Sequence, residues 1–224
     1  MSINHENKSF IGVSLDNQIF FTDWLFTAIN SLLNKHDKIL FLIADDLLRY
    51  TRSIIEEKDK EVLDLNKIED IVSKKSNKFI NYLNNSLLNL TAKEKEKIEI
   101  KRWRDFEDSN YIKIFRNLII AFYNINEFRE DVYSVAHSHV KKFSNSDNYE
   151  NLLNSSAIYI IDEISMAIRV SEIDNYINEY YPTDEVSVLK KIYNNSYNEF
   201  GLTVDNLIGK KSQRKFKVLN ILNK

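Results

Sequence analysis

The chain of 224 residues carries a formal net charge of −2 and is 43% hydrophobic, which supports a packed core and excludes a disordered chain. Its three glycines, Gly12, Gly201 and Gly209, are too far apart for a GxxxxGK[ST] or GxGxxG phosphate loop, and with a single proline an all-β fold rich in tight turns is disfavoured. The lack of cysteine removes disulfides, thiolate zinc sites and cysteine nucleophiles.

Ser9 to Leu15 predicts a short strand, with Phe10, Ile11, Val13 and Leu15 as its apolar bulk. Thr22 is a candidate N-cap for a helix running from Trp24 to Leu33. Lys38 to Ala44 is a continuous apolar run, as expected for a strand buried on both faces of a parallel sheet. Asp45 and Asp46 then open a helix through Leu47, Leu48 and Ile54, giving strand–helix–strand–helix order and a parallel α/β core. A long helix is expected from about Val62 to Leu90, a strand from Lys97 to Trp103, and one helix over Tyr111 to Lys142. Tyr149 to Ile168 predicts a further helix, Tyr176 to Asp184 an irregular segment around Pro182, Val186 to Phe200 another helix, and Phe216 to Leu222 a last strand. No repeat and no Gly/Ser/Pro linker interrupts the pattern, so one domain over residues 1–224 is expected.

The first residues, Met1-Ser2-Ile3-Asn4-His5, lack a basic region followed by an apolar stretch, so no signal peptide is expected. The longest apolar run, Ile39 to Ala44, is far short of the roughly 20 residues of a membrane helix. The expectation is a cytoplasmic protein without membrane association.

Four groups of residues can carry chemistry. Ser14 closes the first strand, with Gly12 two residues earlier on the same face; ligands of open parallel sheets bind just outside the carboxyl ends of the strands. Ser14 is therefore a candidate nucleophile or an ordinary polar strand end, but not a G-x-S-x-G elbow, because Asp16 occupies the second glycine's place. Tyr159 and Glu163 are four apart and share one helix face. Among Ile158, Ile160, Ile161 and Ile164, a carboxylate needs a partner or a raised pKa. It can hold a substrate ammonium, or belong to a solvent-facing stripe with a rim tyrosine. In Tyr180-Tyr181-Pro182-Thr183-Asp184 a rigid turn can place a phenol for proton relay, or merely anchor a loop. Lys67, Lys74 and Lys78 form a stripe with Lys75 beside it, and Lys93, Lys95, Lys97, Lys101, Arg102 and Arg104 cluster after it. They suit a phosphate backbone or a solvated face, since Glu69, Glu94 and Glu96 are interleaved. His137 and His139 lie on different helix faces, and no metal site is expected.

In order, Gly12-Val13-Ser14, Tyr159-x-x-x-Glu163 and Tyr181-Pro182-x-Asp184 resemble the tRNA-dependent cyclodipeptide synthases, over about Phe10 to Val188. The resemblance implies the fold of the class I tyrosyl- and tryptophanyl-tRNA synthetase catalytic domain: Rossmann-like α/β, a mostly parallel sheet with helices on both faces. It implies two aminoacyl-tRNAs as partners, a cyclic dipeptide as product, a monomer and no cofactor. Ser14 matches the family's nucleophile, acylated first with an aminoacyl and then with a dipeptidyl group. Tyr159 and Glu163 match the pair anchoring the aminoacyl ammonium, Tyr181 the tyrosine assisting proton transfer, and Asp184 an acid of the same segment. Phe10, Gly12 and Met166 fall where the family lines its first aminoacyl pocket. Asn17 resembles one branch of the family and Pro182 the other, and the Tyr-Pro branch is preferred. The lysines 67, 74, 75 and 78 stand on the helix that meets tRNA in the family, although Asn84 and Asn85 replace expected basic residues. An aminoacyl ester is already activated, so a missing phosphate loop is consistent with this chemistry. A non-catalytic tRNA-binding module of the same fold is the alternative, and a serine hydrolase a third reading.

Overall fold

The computed structural model describes residues 7–50, 65–141, 148–174, 176–180, 187–212 and 217–219. Its strands are β1 (Lys8–Val13), β2 (Lys38–Ile43), β3 (Ile98–Arg102), β4 (Tyr176–Tyr180) and β5 (Lys217–Leu219). Its helices are α1 (Asp23–Leu33), α2 (Leu65–Ser86), α3 (Ala92–Lys95), α4 (Ser109–Asn124), α5 (Asn126–Val140), α6 (Tyr149–Ile173), α7 (Ser187–Tyr193) and α8 (Val204–Ile208). All strand pairs are parallel, in the order β3-β2-β1-β4-β5. The chain builds outward from β1 to β3 and then returns to the other side of β1. A switch point therefore lies between β1 and β4, where such sheets open a ligand crevice beyond the strand ends.

The alternation of side chains along each strand explains the two layers of helices. Ile11, Val13, Ile39, Phe41 and Ile43 point to one face and pack against α1 and α2. Phe10, Leu40 and Leu42 point to the other and pack against α4, α5 and α6. This is the Rossmann-like α/β arrangement expected from the uninterrupted apolar run in β2. Thr22 caps α1 as its position suggests, its hydroxyl accepting the Trp24 amide hydrogen at 3.3 Å.

Several expected elements differ. The single helix over Tyr111 to Lys142 is two helices broken at Ile125, whose backbone is extended. Ile125 is buried in the core, and Arg129 bridges the break by donating to the Tyr123 carbonyl and the Asn126 side chain. Apolar burial and a side-chain bridge thus end the helix without a proline. Residues 176–180, expected to be irregular, form β4, because pairing with β1 and β5 outweighs the weak strand propensity of Asn178 and Glu179. The helix expected to run to Phe200 stops at Tyr193, and Asn195 follows with φ of 57°, a left-handed conformation that asparagine tolerates better than most residues. The strand β1 ends at Val13, so Ser14 and Leu15 lie beyond it. Residues 48–50 are helical; Ile54, Val62 and most of the expected last strand fall outside the described residues.

The segment after Ser14 is clamped from one side. Asn17 caps a short 3₁₀ turn (Gln18–Phe21), its side-chain oxygen accepting the Ile19 amide hydrogen at 3.1 Å. Phe79 of α2 packs edge-on against Phe20 and Phe21, with ring centroids 6.4 and 5.6 Å away. Phe79 is fully buried, so Phe79→Ala is expected to cost about 3–5 kcal/mol in urea unfolding. A cost below about 1 kcal/mol would show that this clamp is dispensable.

Candidate active site

Ser14 is the first residue past β1, on the same side of the sheet as Phe10 and Gly12. It lines a narrow cleft with Phe10, Gly12, Leu42, Ala44, Trp103, Tyr159, Glu163 and Ala167. The strands supply the floor. In register, Gly12 lies opposite Leu42 and Val13 opposite Ile43, so both strands end level at this edge. The opposite wall is α6, where Tyr159, Glu163 and Ala167 recur every four residues and share one face. Ser14 is half-buried, and its hydroxyl has no hydrogen-bond partner among the described residues.

Glu163 also has no hydrogen-bond or ion-pair partner among the described residues. Its side chain keeps partial solvent access. Burial, with a smaller contribution from the neighbouring Asp162 charge, pushes its pKa up to about 7. A cation seated in the cleft would restore the charged form, so the site favours an ammonium. Tyr159 is half-buried beside it, with its ring edge-on to His139 at 6.4 Å.

Behind this wall lies a constellation that the sequence did not reveal. The Asp162 carboxylate is buried and accepts three hydrogen bonds: from the Trp103 indole N–H at 3.0 Å, the Tyr111 hydroxyl at 2.6 Å and the Tyr50 hydroxyl at 3.0 Å. Burial pushes its pKa up, against the three donors, which pull it down. Burial, and after it the same carboxylate, raises both tyrosines, holding them as donors. At the rim, burial and the adjacent Asp45 raise Asp46, although Arg49 reaches it at 3.0 Å and Arg104 at 3.5 Å. Burial, with Asp46 and Asp162, raises Glu107. The surroundings are acidic, which again suits an ammonium and not a free carboxylate.

The other expected residues are distributed differently. Met166 is fully buried in the core on the side of α4 to α6 and does not line the cleft; three positions from Glu163, it falls on a neighbouring face, and Ala167 takes the lining position. Asn17 is occupied as the cap described above. Tyr181, Pro182 and Asp184 lie outside the described residues. Of the lysines on α2, Lys74 pairs with Asp70 and Lys75 with Asp16, two residues from Ser14. Lys78 sits over the Phe21 ring at 5.6 Å, and Lys67 is exposed. Ala167 was accessible to sequence reasoning as the next step of the 159–163 series. Trp103 was legible only as the end of the strand expected from Lys97, and Asp162 gave no local signal. Among the described residues no helix is long and apolar enough to cross a membrane.

No family model matches the sequence, and no curated protein matches it either. The structure, in contrast, matches solved cyclodipeptide synthases. A CDPS from Fluoribacter dumoffii superposes with a TM-score of 0.73 at 14% identity, covering 95% of this chain and 88% of that one. A cyclodipeptide synthase from Bacillus thermoamylovorans gives 0.70 at 18% identity, covering 97% and 90%. A Mycobacterium tuberculosis protein, whose structure relates cyclodipeptide synthetases to type I tRNA synthetases, gives 0.62 at 10% identity, covering 82% and 77%. The fold is theirs over nearly the whole chain.

Proposed function

We propose that this protein is a cyclodipeptide synthase that joins the aminoacyl groups of two aminoacyl-tRNAs into a diketopiperazine through acyl-enzyme intermediates on Ser14. The observation that carries this reading is the meeting of Ser14, Tyr159 and Glu163 on one cleft at the carboxyl ends of β1 and β2 in a parallel sheet. First, the Ser14 hydroxyl oxygen attacks the ester carbonyl of one aminoacyl-tRNA. The bond from serine oxygen to acyl carbon forms, the bond to the ribose oxygen breaks, and the serine proton ends on that ribose oxygen. Glu163, with Tyr159, holds the aminoacyl ammonium. For the dipeptide to stay on the enzyme, the ammonium of the Ser14-bound residue loses one proton to solvent and the resulting amine attacks the ester carbonyl of the second aminoacyl-tRNA; the amide bond forms, the bond to the ribose oxygen breaks, and that oxygen takes a second proton from the nitrogen as the tRNA leaves. The new terminal amine then attacks the Ser14 ester, closing the six-membered ring and freeing the hydroxyl; holding the two ends on one framework gives this step its high effective molarity. Phe10 and Gly12 line the first aminoacyl pocket. Tyr181 assists the proton transfers, Asp184 supports that segment, and Pro182 places the chain on the Tyr-Pro branch. The exposed lysines of α2 meet the tRNA backbone.

Incubation with a mixed pool of aminoacylated tRNAs and mass analysis of the small molecules tests the reading directly. A diketopiperazine is expected with charged tRNA and none with free amino acids and ATP. Binding of charged and uncharged tRNA alike, with no product and no acyl adduct, would favour the binding-module alternative.

A further inference from the structure

We propose that Trp103, held across the cleft by Asp162, restricts the acyl group loaded on Ser14 to amino acids with small side chains, of the size of glycine or alanine; this rests on the function proposed above. The cleft encloses about 320 Å³ including its open mouth, but the free space at its core is about that of one water molecule. Two of its walls are Ala44 and Ala167, which have no rotamers to change. Phe10 and Leu42 are fully packed in the sheet. Trp103 is the largest side chain lining the space and is 3% exposed.

A tryptophan on a short turn after β3 could swing aside for a larger substrate, but here its indole N–H is bonded to Asp162 at 3.0 Å. Asp162 does not line the cleft. It ties Trp103 to Tyr111 on α4 and to Tyr50 beyond β2, so moving the indole strands a buried donor and disturbs a network drawn from four parts of the chain. Trp103 is thus the specificity-determining wall and Asp162 its positioning residue. In a filled apolar pocket each extra methylene is worth roughly 10- to 200-fold in discrimination.

Glycyl-, alanyl-, leucyl- and phenylalanyl-tRNA, offered one at a time, test this by the intact-protein mass of the Ser14 adduct in quenched time points. The wild-type protein is expected to load glycyl and alanyl groups at least about tenfold faster than leucyl and phenylalanyl groups. Trp103→Leu and Asp162→Asn are each expected to raise leucyl loading relative to alanyl by about tenfold or more, whereas a purely structural role would lower all four alike. The wild-type series decides the size limit even if both variants fail to fold. Wild-type loading of leucyl or phenylalanyl groups as fast as alanyl overturns the size limit while leaving the proposed function standing. So does an unchanged ratio in folded variants for the roles of Trp103 and Asp162. No adduct and no cyclic dipeptide from any of the four, alone or mixed, defeats the function itself.

Discussion

Ser14→Ala is expected to end diketopiperazine formation, by about four orders of magnitude or more, while leaving stability and tRNA affinity close to those of the wild type. The two halves of this expectation have separate causes. In the proposed reaction the serine oxygen carries both acyl intermediates, and the one other hydroxyl among the lining residues, the Tyr159 phenol, serves in that reading to hold the ammonium. The hydroxyl also makes no hydrogen bond among the described residues, so its removal leaves no buried partner unsatisfied, and a change within about 0.5 kcal/mol is expected. Product analysis and a thermal melt on the same preparation separate loss of chemistry from loss of fold. Product within about tenfold of wild type in a folded Ser14→Ala variant would mean that the two aminoacyl-tRNAs condense directly, without an acyl-enzyme. That result would leave the cleft as a substrate site and remove the covalent step.

The parts of this architecture that were legible in the sequence are those with local periodicity. β2 reads as a doubly buried strand because its apolar run is unbroken. Ser14 reads as a strand-tip residue because strand parity places it with Phe10 and Gly12, and Tyr159 and Glu163 read as sharing one helix face because four residues make about one helical turn. Met166, placed in the pocket only by the family resemblance, is buried in the core; three positions from Glu163 is also near one helical turn, and only the packing of α6 against α4 and α5 separates a core position from a lining one. What could not be read is what closes over long distances. Asp162 meets Tyr111, Trp103 and Tyr50 across 51, 59 and 112 residues, and no spacing rule connects them. The break at Ile125 is hidden for a related reason: asparagines flank it, but a buried isoleucine and the Arg129 bridge decide it. β4 has a weak strand signal because two neighbouring strands supply its hydrogen bonds.

Glu163→Gln is expected to separate function from stability in opposite directions. The substitution keeps the shape of the side chain and removes the charge that would hold the aminoacyl ammonium, so loading of Ser14 should fall by about 10²-fold or more. In the wild type the charged form is required, and the free-enzyme pKa is about 7. The apparent second-order rate of Ser14 loading should therefore rise with pH up to about 7 and fall again once the substrate's α-amino group, ordinarily titrating at about 8, loses its proton. For stability the sign reverses. The folded carboxyl titrates near 7, against an ordinary value of 4.5, so the folded state binds the proton more tightly than the unfolded one. Wild-type stability is then lost as pH rises from about 4.5 to about 7, and the full penalty, on the order of 3 kcal/mol, persists above that range. Glutamine carries no such penalty. Urea unfolding should show the variant to be the more stable protein at pH 8, with the advantage shrinking towards pH 5. Equal stability at both values would mean that the Glu163 carboxyl is solvated, and its role as the ammonium anchor would lose its physical basis. A residue that weakens the fold when ionised, and regains its charge when a cation enters the cleft, is characteristic of a binding site retained at a cost to stability. In the proposed reaction the substrate's ammonium supplies the counter-charge that no described residue provides.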